Sequence, residues 1–383
     1  MARLGDVGLV ITGNTPKTSE PQNYESNDIC FVKPSDIADG MVTHLGDSEF
    51  YISEYARTKA RILPPHSVLV TCIGIIGKVA INDKECAFNQ QINAIVPNSS
   101  KCSTEFLAYA IQSKQAEMQD IANAPVVPIL NKTQFSDIEI KLPPLSEQHI
   151  IVEKLNTVSN LIAMRKEQLA KLDQLVKSRF IELFGDSVTN SMGWVTDTVI
   201  GVCDDIYGGG TPSKSHPEYY ENGDIPWVSS KDMKTDVLYD SQIKINQLGV
   251  DNSTAKMVPI NSVIMVIRSG ILKHKLPVAV NAVPITVNQD LKVFIPSNRI
   301  LSIFLMHQFK MLEKDILSGV RAVTADNIEF DSLKKREIIV PPMELQEQFA
   351  AFVEQTDKSK LAIQQSLDKL ELLKKSLMQE YFG

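Results

Sequence analysis

The sequence lacks any apolar run long enough to cross a membrane. Its longest apolar stretches, residues 68–77 and 262–267, are far shorter than the roughly 20 residues that a transmembrane helix needs. The first ten residues, MARLGDVGLV, also lack the extended apolar segment of a signal peptide. We therefore expect a cytoplasmic protein that does not contact a membrane.

Cysteine is scarce, and histidine shows no metal-binding spacing. The five cysteines are widely separated and include no Cys-x-x-Cys pair: Cys30, Cys72, Cys86, Cys102 and Cys203. An odd, scattered set is typical of reduced thiols, not of a disulfide framework or a zinc site. The six histidines include no His-Glu-x-x-His motif. We expect neither a bound metal nor a cofactor.

Motifs for catalysis are missing as well. The segment Gly74–Val79 has neither the spacing nor the hydroxyl of a phosphate-binding P-loop, and no Gly-x-Gly-x-x-Gly fingerprint is present. The Pro-Pro pairs at 64–65, 143–144 and 341–342 follow apolar residues and precede non-aromatic ones. They therefore do not match the Asn/Asp-Pro-Pro-aromatic motif of amino-methyltransferases. We expect a chain that is not itself an enzyme.

The net charge is also not that of a typical nucleic-acid binder. The chain carries 39 basic and 46 acidic residues, for a formal charge of −7. A protein that bound DNA or RNA alone, mainly through phosphates, would usually be basic. The charge disfavours an autonomous binder, but it allows one that reads bases while a partner contacts the phosphates.

What the sequence does contain is an internal repeat. Residues 142–185 align without a gap to residues 340–383. In this register Pro143-Pro144 meets Pro341-Pro342, and Gln148 meets Gln346. A repeat of this kind decides the architecture before any single motif does.

The preceding segments repeat more faintly. Matched pairs include Gly13–Pro16 with Gly209–Pro212, Tyr24 with Tyr220, Phe31 with Trp227, Ser67 with Ser262, and Asn89-Gln90 with Asn288-Gln289. Because the aromatic residues recur in both copies, we interpret them as packing residues, not as base-stacking ones. The chain then divides into a first domain (1–143), a helix (144–185), a second domain (186–341) and a second helix (342–383).

Both helical segments have a heptad seam, with positions spaced alternately by four and three; only two arginines interrupt the apolar residues of the first copy, and seven of the ten positions of the second are apolar or aromatic. The seam positions are Ile151, Leu155, Val158, Ile162, Arg165, Leu169, Leu172, Val176, Arg179 and Leu183 in the first copy. In the second they are Phe349, Val353, Thr356, Lys360, Ile363, Leu367, Leu370, Lys374, Leu377 and Tyr381. A long apolar stripe needs a partner, and the other copy is the nearest one. We expect an antiparallel coiled coil that relates the two domains by a pseudo-twofold axis; ordinary long core helices are the alternative.

The domains themselves are predicted to be α+β. Short apolar runs bounded by Pro, Gly and Asn predict strands at 67–73, 92–96, 262–267 and 291–295. One amphipathic helix is predicted in each domain, near 104–119 and 301–316.

The ordered set of motifs resembles the specificity subunit of type I restriction-modification systems. It consists of Pro143–Gln148 (PPLSEQ), Pro341–Gln346 (PPMELQ), the two Gly-x-Thr-Pro openings, and the segments Arg268–Leu272 and Val287–Leu291. The resemblance implies that each domain is a target recognition domain reading one half of a bipartite, asymmetric site in double-stranded DNA. It also implies that the helices set the spacer and dock two methyltransferase subunits, that restriction subunits join the complex, and that one copy of this chain is present per complex.

Local basic clusters are the predicted DNA contacts, since arginine is the residue most often used to read guanine. In the second domain they are Arg268, Lys273, His274 and Lys275, and in the first domain Arg57, Lys59, Arg61 and Lys78. Two other interpretations remain open. The chain could be a non-catalytic coiled-coil scaffold that bridges two protein partners, or a fused enzyme with catalysis in one domain.

Overall fold

The computed structural model describes residues 1–122, 127–319, 321–322 and 326–383. The chain forms two compact units: the first comprises Met1–Lys166 and Gln365–Gly383, and the second Glu167–Gln364. Each unit combines a lobe of strands and short helices with parts of two long helices. This mixture confirms the predicted α+β class; the domain limits inferred from the sequence stay a prediction.

The lobe of the first unit consists of short strands and helices. Its strands are β1 (Ala2–Arg3), β2 (Gly8–Thr12), β3 (Ile29–Val32), β4 (Val42–Leu45), β5 (Tyr51–Ile52), β6 (Ile62–Leu63), β7 (Val68–Thr71), β8 (Val79–Asn82), β9 (Cys86–Phe88), β10 (Ile92–Pro97) and β11 (Glu139–Ile140). Its helices are α1 (Leu4–Val7), α2 (Thr104–Ser113), α3 (Gln115–Ile121) and α4 (Lys132–Asp137), followed by the long helix α5 (Leu145–Phe184).

The centre of this lobe is a five-stranded sheet in the order β2-β10-β7-β8-β4. β10 pairs antiparallel with β2 and β7, whereas β4 lies parallel to β8. Every residue of β7 and β8 is buried, which explains why these strands are apolar runs without the alternation of a half-exposed strand. The strands predicted at 67–73 and 92–96 are present as β7 and β10.

The second unit has a similar set of elements. Its strands are β12 (Thr196–Thr198), β13 (Cys203–Gly208), β14 (Ile225–Val228), β15 (Val237–Leu238), β16 (Lys244–Ile245), β17 (Val263–Val266), β18 (Val278–Asn281), β19 (Thr286–Val287), β20 (Leu291–Pro296), β21 (Arg321–Ala322), β22 (Asp326–Asn327) and β23 (Glu337–Ile339). Its helices are α6 (Gln247–Asp251), α7 (Ser302–Met311), α8 (Glu313–Ser318), α9 (Phe330–Lys334) and the long helix α10 (Met343–Phe382).

The main sheet of the second unit has the order β13-β20-β17-β18-β15. As in the first unit, the outermost strand, here β15, joins parallel to its neighbour, and the other pairings are antiparallel. β17 and β20 are the strands predicted at 262–267 and 291–295. The shared strand order confirms that the sequence repeat extends into the lobes.

The amphipathic helix predicted in each lobe is two shorter helices in the structure, so the prediction of one continuous helix was wrong. Lys114 separates α2 from α3, and Leu312 separates α7 from α8. Both residues have ψ close to zero, at 9° and 2°, outside the usual α-helical range. The breaks fall at matching positions of the repeat and involve no glycine or proline, which is why the pattern did not reveal them.

The long helices predicted after each Pro-Pro pair are present as α5 and α10. In the first unit Lys154 donates to the hydroxyl of Tyr381 at 3.1 Å, and Lys166 pairs with Glu371 at 3.0 Å. The partner number falls as the α5 number rises, so the two segments run antiparallel. In the second unit Lys360 pairs with Asp173 at 2.7 Å. Every predicted seam residue is buried or half-buried.

Candidate nucleic-acid interface

The Gly-x-Thr-Pro segment closes the same loop in both units. Thr15 Oγ1 donates to Gln90 Oε1 at 2.5 Å, and the Thr211 hydroxyl donates to Gln289 in the second unit. The threonine of the first repeated motif therefore binds the glutamine of the second, the repeated Asn-Gln pair, which accounts for the recurrence of both motifs. Together they join the loop after β2 to the turn before β10 in the first unit, and the loop after β13 to the turn before β20 in the second.

The repeated aromatic residues are structural, as predicted. Tyr24 and Tyr220 each donate a hydroxyl hydrogen bond of 2.6 Å to the carbonyl oxygen of the motif's proline. Phe31 and Trp227 are buried in the lobes, 2% and 7% exposed. Phe31 and Trp227 are therefore not available to stack on bases, and the hydroxyls of Tyr24 and Tyr220 hold the loop.

Arg268 lies just beyond β17, at an exposed edge of the second unit. Its Nε and Nη2 both donate to Asp290 Oδ1, at 2.7 and 2.6 Å. Asn288 Nδ2 donates to the other oxygen of that carboxylate at 3.1 Å. Asp290 thus orients the guanidinium while 48% of the arginine side chain remains exposed.

The other predicted contacts of the second domain lie on the loop that begins at Arg268. Gly270–Lys273 forms a short 3₁₀ helix, and the backbone N–H groups of His274 and Lys275 both donate to Ile271 O at 3.0 Å. The side chains of Lys273, His274 and Lys275 are exposed. The four predicted residues therefore lie on one loop, and all four are exposed.

In the first unit, Arg57 is engaged by carboxylates. Its Nε donates to Glu54 at 2.5 Å, and its Nη2 donates to Glu85 at 2.7 Å. These hydrogen bonds, first that of Glu85 and then that of Glu54, raise the pKa of the Arg57 guanidinium. An arginine with two acidic neighbours has less positive potential to offer a phosphate.

Lys59 and Arg61 lie beside the Gly-x-Thr-Pro loop. Lys59 Nζ donates to Glu20 at 2.6 Å, and this hydrogen bond raises the lysine pKa. Asn14 binds the backbone on both sides, accepting from the Arg61 N–H at 2.8 Å and donating to the Lys59 carbonyl at 2.7 Å. Arg61 also donates through its guanidinium to the Thr12 carbonyl.

Lys78 lies apart from that segment. Its Nζ is 3.5 Å from the carbonyl oxygen of Pro34, and its side chain is half-buried. Lys78 therefore contacts the segment around Pro34, whereas Lys59 and Arg61 contact the Gly-x-Thr-Pro loop.

The first unit nevertheless has an edge equivalent to that of Arg268. The Cys72 N–H donates to the Gln91 carbonyl at 2.8 Å, just as the Ile267 N–H donates to the Asp290 carbonyl at 2.9 Å. Gln91 is therefore the counterpart of Asp290. Asn89 Nδ2 donates to the Gln91 side chain at 2.9 Å, which parallels the contact between Asn288 and Asp290.

The residue that occupies the position of Arg268 is Ile73. Ile73 forms an isolated antiparallel bridge with Ile129, and Arg268 forms one with Asn327. The sequence search missed this position because it looked only for basic residues. The signal was present: the alignment that pairs Ser67 with Ser262 also pairs Ile73 with Arg268.

The described residues contain no group of three His, Cys, Asp or Glu side chains able to hold a metal ion. No helix in those ranges is long and apolar enough to span a bilayer. All five cysteines are free, and burial raises the pKa of Cys72, Cys86 and Cys102 to about 12. These thiols are protonated at neutral pH and poorly nucleophilic.

A sequence model of one protein family, the type I restriction modification DNA specificity domain, matches residues 1–174 and again residues 192–372. The chain belongs to this family. The two matches correspond to the two halves of the internal repeat.

Named relatives of this specificity-domain protein are similar over different lengths. The type I restriction enzyme EcoR124I/EcoR124II specificity subunit of Escherichia coli is 32% identical over 214 residues, 55% of this chain but only 52% of that subunit. The MjaIX specificity subunit of Methanocaldococcus jannaschii is 25% identical over 374 residues, covering 92% of this chain and 85% of that one.

Solved structures of the family share the fold. The S subunit of the type I system from M. genitalium superimposes with a TM-score of 0.60 at 13% identity, covering all of this chain and 95% of that one. A chain from a study of complex assembly and conformational transition of the type I system gives 0.57 at 19% identity, covering 99% and 96%.

The long helices of this family member also carry exposed apolar residues outside the seam. In the first unit they are Ile150, Leu161, Met164, Leu372 and Leu373, and in the second Leu175, Ile181 and Leu361, each 38–68% exposed. Water-exposed apolar residues on a helix that already buries one stripe are typical of a surface that a partner covers.

Proposed function

We propose that this protein is the DNA-recognition subunit of a type I restriction-modification complex, in which each unit reads one part of an asymmetric, split target. The observation that carries the proposal is the double family match, once in each half of the chain. The lobes repeat one sheet order but present Ile73 and Arg268 at equivalent edges. A common frame with unlike edge residues suits a protein that reads two different half-sites.

In the second unit, Arg268 is the proposed base-reading residue. Arginine distinguishes guanine by donating two hydrogen bonds to O6 and N7 in the major groove. The contact with Asp290 supports this role, because it holds the guanidinium in place before DNA arrives. Lys273, His274 and Lys275 are proposed to contact the phosphates beside it. Arg57, Lys59, Arg61 and Lys78 remain proposed contacts of the first unit.

The chemistry is proposed to belong to partner subunits. Two methyltransferase subunits would dock on the exposed apolar residues of α5 and α10, flip the target adenine and methylate it, and restriction subunits would supply DNA cleavage. The charge of −7 supports such a division, because the partners would contribute phosphate contacts. One copy of this chain per complex, without a cofactor or catalytic residue of its own, would act in the cytoplasm where its DNA is found.

The test is methylome sequencing of a host that expresses this chain together with methyltransferase subunits of a type I system. The expected result is adenine methylation at one two-part sequence. Replacing residues 186–341 by those of a relative should change one part and leave the other intact. Methylation without sequence preference, or none, would favour the scaffold. Methylation or cleavage by this chain alone would favour the fused enzyme.

A further inference from the structure

The edge of the first unit that corresponds to Arg268 is apolar. Ile75 and Ile129 are 58% and 51% exposed, and Val127 is 45% exposed. The backbone brings these residues together, because Ile73 bridges Ile129 and the Gly74 N–H donates to the Pro128 carbonyl at 3.4 Å. A contiguous exposed group of branched apolar side chains marks a contact surface more strongly than a single exposed residue does.

The position that corresponds to Asp290 is neutral in the first unit. Gln91 stands where the second unit has Asp290, and its side chain is held by Asn89. Ile73 has no charge to be neutralised, so the carboxylate is not needed in this unit. The two edges thus differ as a matched pair: arginine with aspartate in one, isoleucine with glutamine in the other.

We propose that the first unit reads A·T base pairs through this edge, with Ile75 and Ile129 packing against thymine methyl groups. In the major groove the 5-methyl of thymine is the apolar feature that distinguishes an A·T pair, and an amide can pair with adenine N6 and N7. The inference rests on the proposed function and adds the chemical class of one half-site. It also names specificity residues that carry no charge.

DNA is the occupant favoured by the comparison of the two edges. One kind of partner must fit an arginine at one edge and isoleucines at the other, within the same frame of strands. A duplex does so, because its groove presents guanine acceptors in one sequence and thymine methyls in another.

Uracil in place of thymine tests the inference, because it removes only the 5-methyl group. The full complex with its methyltransferase subunits is titrated with target duplexes once the methylome has defined the sequence. The half-site of the first unit is identified as the one whose sequence preference is unchanged in the Arg268→Ala variant. Uracil in that half-site should weaken binding by the wild-type complex about fourfold per contacted thymine, the effect of one buried methyl group. Uracil in the other half-site should have no such effect.

The double variant Ile75→Ala/Ile129→Ala, tested on thymine and uracil DNA, completes a double-mutant cycle between the protein and the base. It should bind thymine DNA more weakly than the wild type does and should not respond to uracil, because the group that sensed the methyl is gone. Leu9→Ala is the matched control. Leu9 is also exposed, at 64%, but it pairs with Val96 near the far end of β10. The edge that contains Ile73 follows β7, whose last residue pairs with Ile92 at the other end of β10.

The outcomes separate the inference from the function on which it rests. Sequence-specific binding with no uracil effect in the first half-site would overturn the apolar readout and leave the proposed function intact. Equal uracil effects in wild type and double variant would overturn the assignment of Ile75 and Ile129. Failure of the complex to bind any sequence preferentially would overturn the proposed function itself.

Discussion

Gln148 ties the first turn of α5 to the backbone of Ser103, whose N–H donates to Gln148 Oε1 at 3.0 Å. The same amide donates through Nε2 to the carbonyls of Lys101 and Pro143, at 2.9 and 2.8 Å. The side chain is fully buried, and all three of its hydrogen bonds go to backbone groups of residues that come just before α2 or α5. The glutamine is therefore a clamp between a long helix and its lobe.

Gln346 makes the same three contacts in the second unit. Its Oε1 accepts from the Leu301 N–H at 2.8 Å, and its Nε2 donates to the carbonyls of Arg299 and Pro341 at 3.2 and 2.9 Å. The Pro-Pro-x-x-x-Gln motif that revealed the repeat is thus structural. It fixes where each long helix leaves its lobe.

Gln148→Ala should lower the free energy of unfolding of the first unit by about 1–3 kcal/mol, because it leaves buried backbone groups without partners. Urea titration followed by circular dichroism measures the change. Glu147→Ala, at the exposed neighbouring position, is the control and should stay within about 0.5 kcal/mol of the wild type. A Gln148→Ala protein as stable as this control would contradict the clamp.

Arg268→Ala should weaken recognition of the cognate site by about 1–3 kcal/mol, so that methylation of this site decreases. The variant should also accept other bases at one position of one half-site. Methylome sequencing of the variant complex measures both effects. Arg299→Ala is a closely matched control: Arg299 pairs with Asp197 at 2.6 Å and is 47% exposed, against 2.6 Å and 48% for Arg268. Uniform weakening over all sequences would make Arg268 a phosphate contact instead.

Arg57→Ala should leave the methylated sequence unchanged, because a guanidinium held by Glu54 and Glu85 is proposed to contact a phosphate and not to read a base. The expected loss of stability is also small, since exposed ion pairs contribute about 0–1 kcal/mol. Methylome sequencing and thermal melting test the two statements. A change in one half-site would instead make Arg57 a base-reading residue.

The second unit should lose stability as the pH falls from about 6.5 toward about 3. His307 is 7% exposed, and burial, reinforced by the neighbouring Lys310, lowers its pKa to about 3 from the ordinary 6.5. Between these values the unfolded chain binds a proton at His307 that the folded chain does not. The stability contributed by the neutral imidazole is thus complete above pH 6.5 and is lost on acidification, at up to about 1.4 kcal/mol per pH unit.

Urea unfolding at pH 7 and pH 5, followed by tryptophan fluorescence, measures this loss, since both tryptophans, Trp194 and Trp227, belong to the second unit. His307→Phe removes the titrating group and should show a smaller decrease. Carboxylates titrate in both proteins, so the difference isolates His307. Equal decreases would rule out the histidine as the source.

The helices show how far local pattern reaches. The 3.5-residue spacing predicted a seam whose members all lie in buried or half-buried positions. It did not predict Phe180 and Phe184, which lie outside the seam and pack on Phe304 at 5.5 and 4.8 Å. Those aromatic residues face a lobe, and the position of a lobe against a helix is not encoded in the period of the helix.

The candidate site shows the same limit. Arg268 was identified because it is an arginine in a loop between strands, but its partner Asp290 is 22 residues away and is brought to it by the pairing of β17 with β20. Ile73 was overlooked because a search for cations passes over isoleucine. The alignment that pairs Ser67 with Ser262 also pairs Ile73 with Arg268, and the hydrogen bonds around Cys72 show that the two residues occupy equivalent places in the fold.

The amino-acid sequence by itself determined the repeat, the long helices and the family resemblance, because these depend on periodicity and order along the chain. The tertiary structure decided which side chains meet at the edge of each lobe and which of them remain exposed. Those contacts join strands far apart in sequence, and their register is set by the packing of the whole sheet, which no local pattern records.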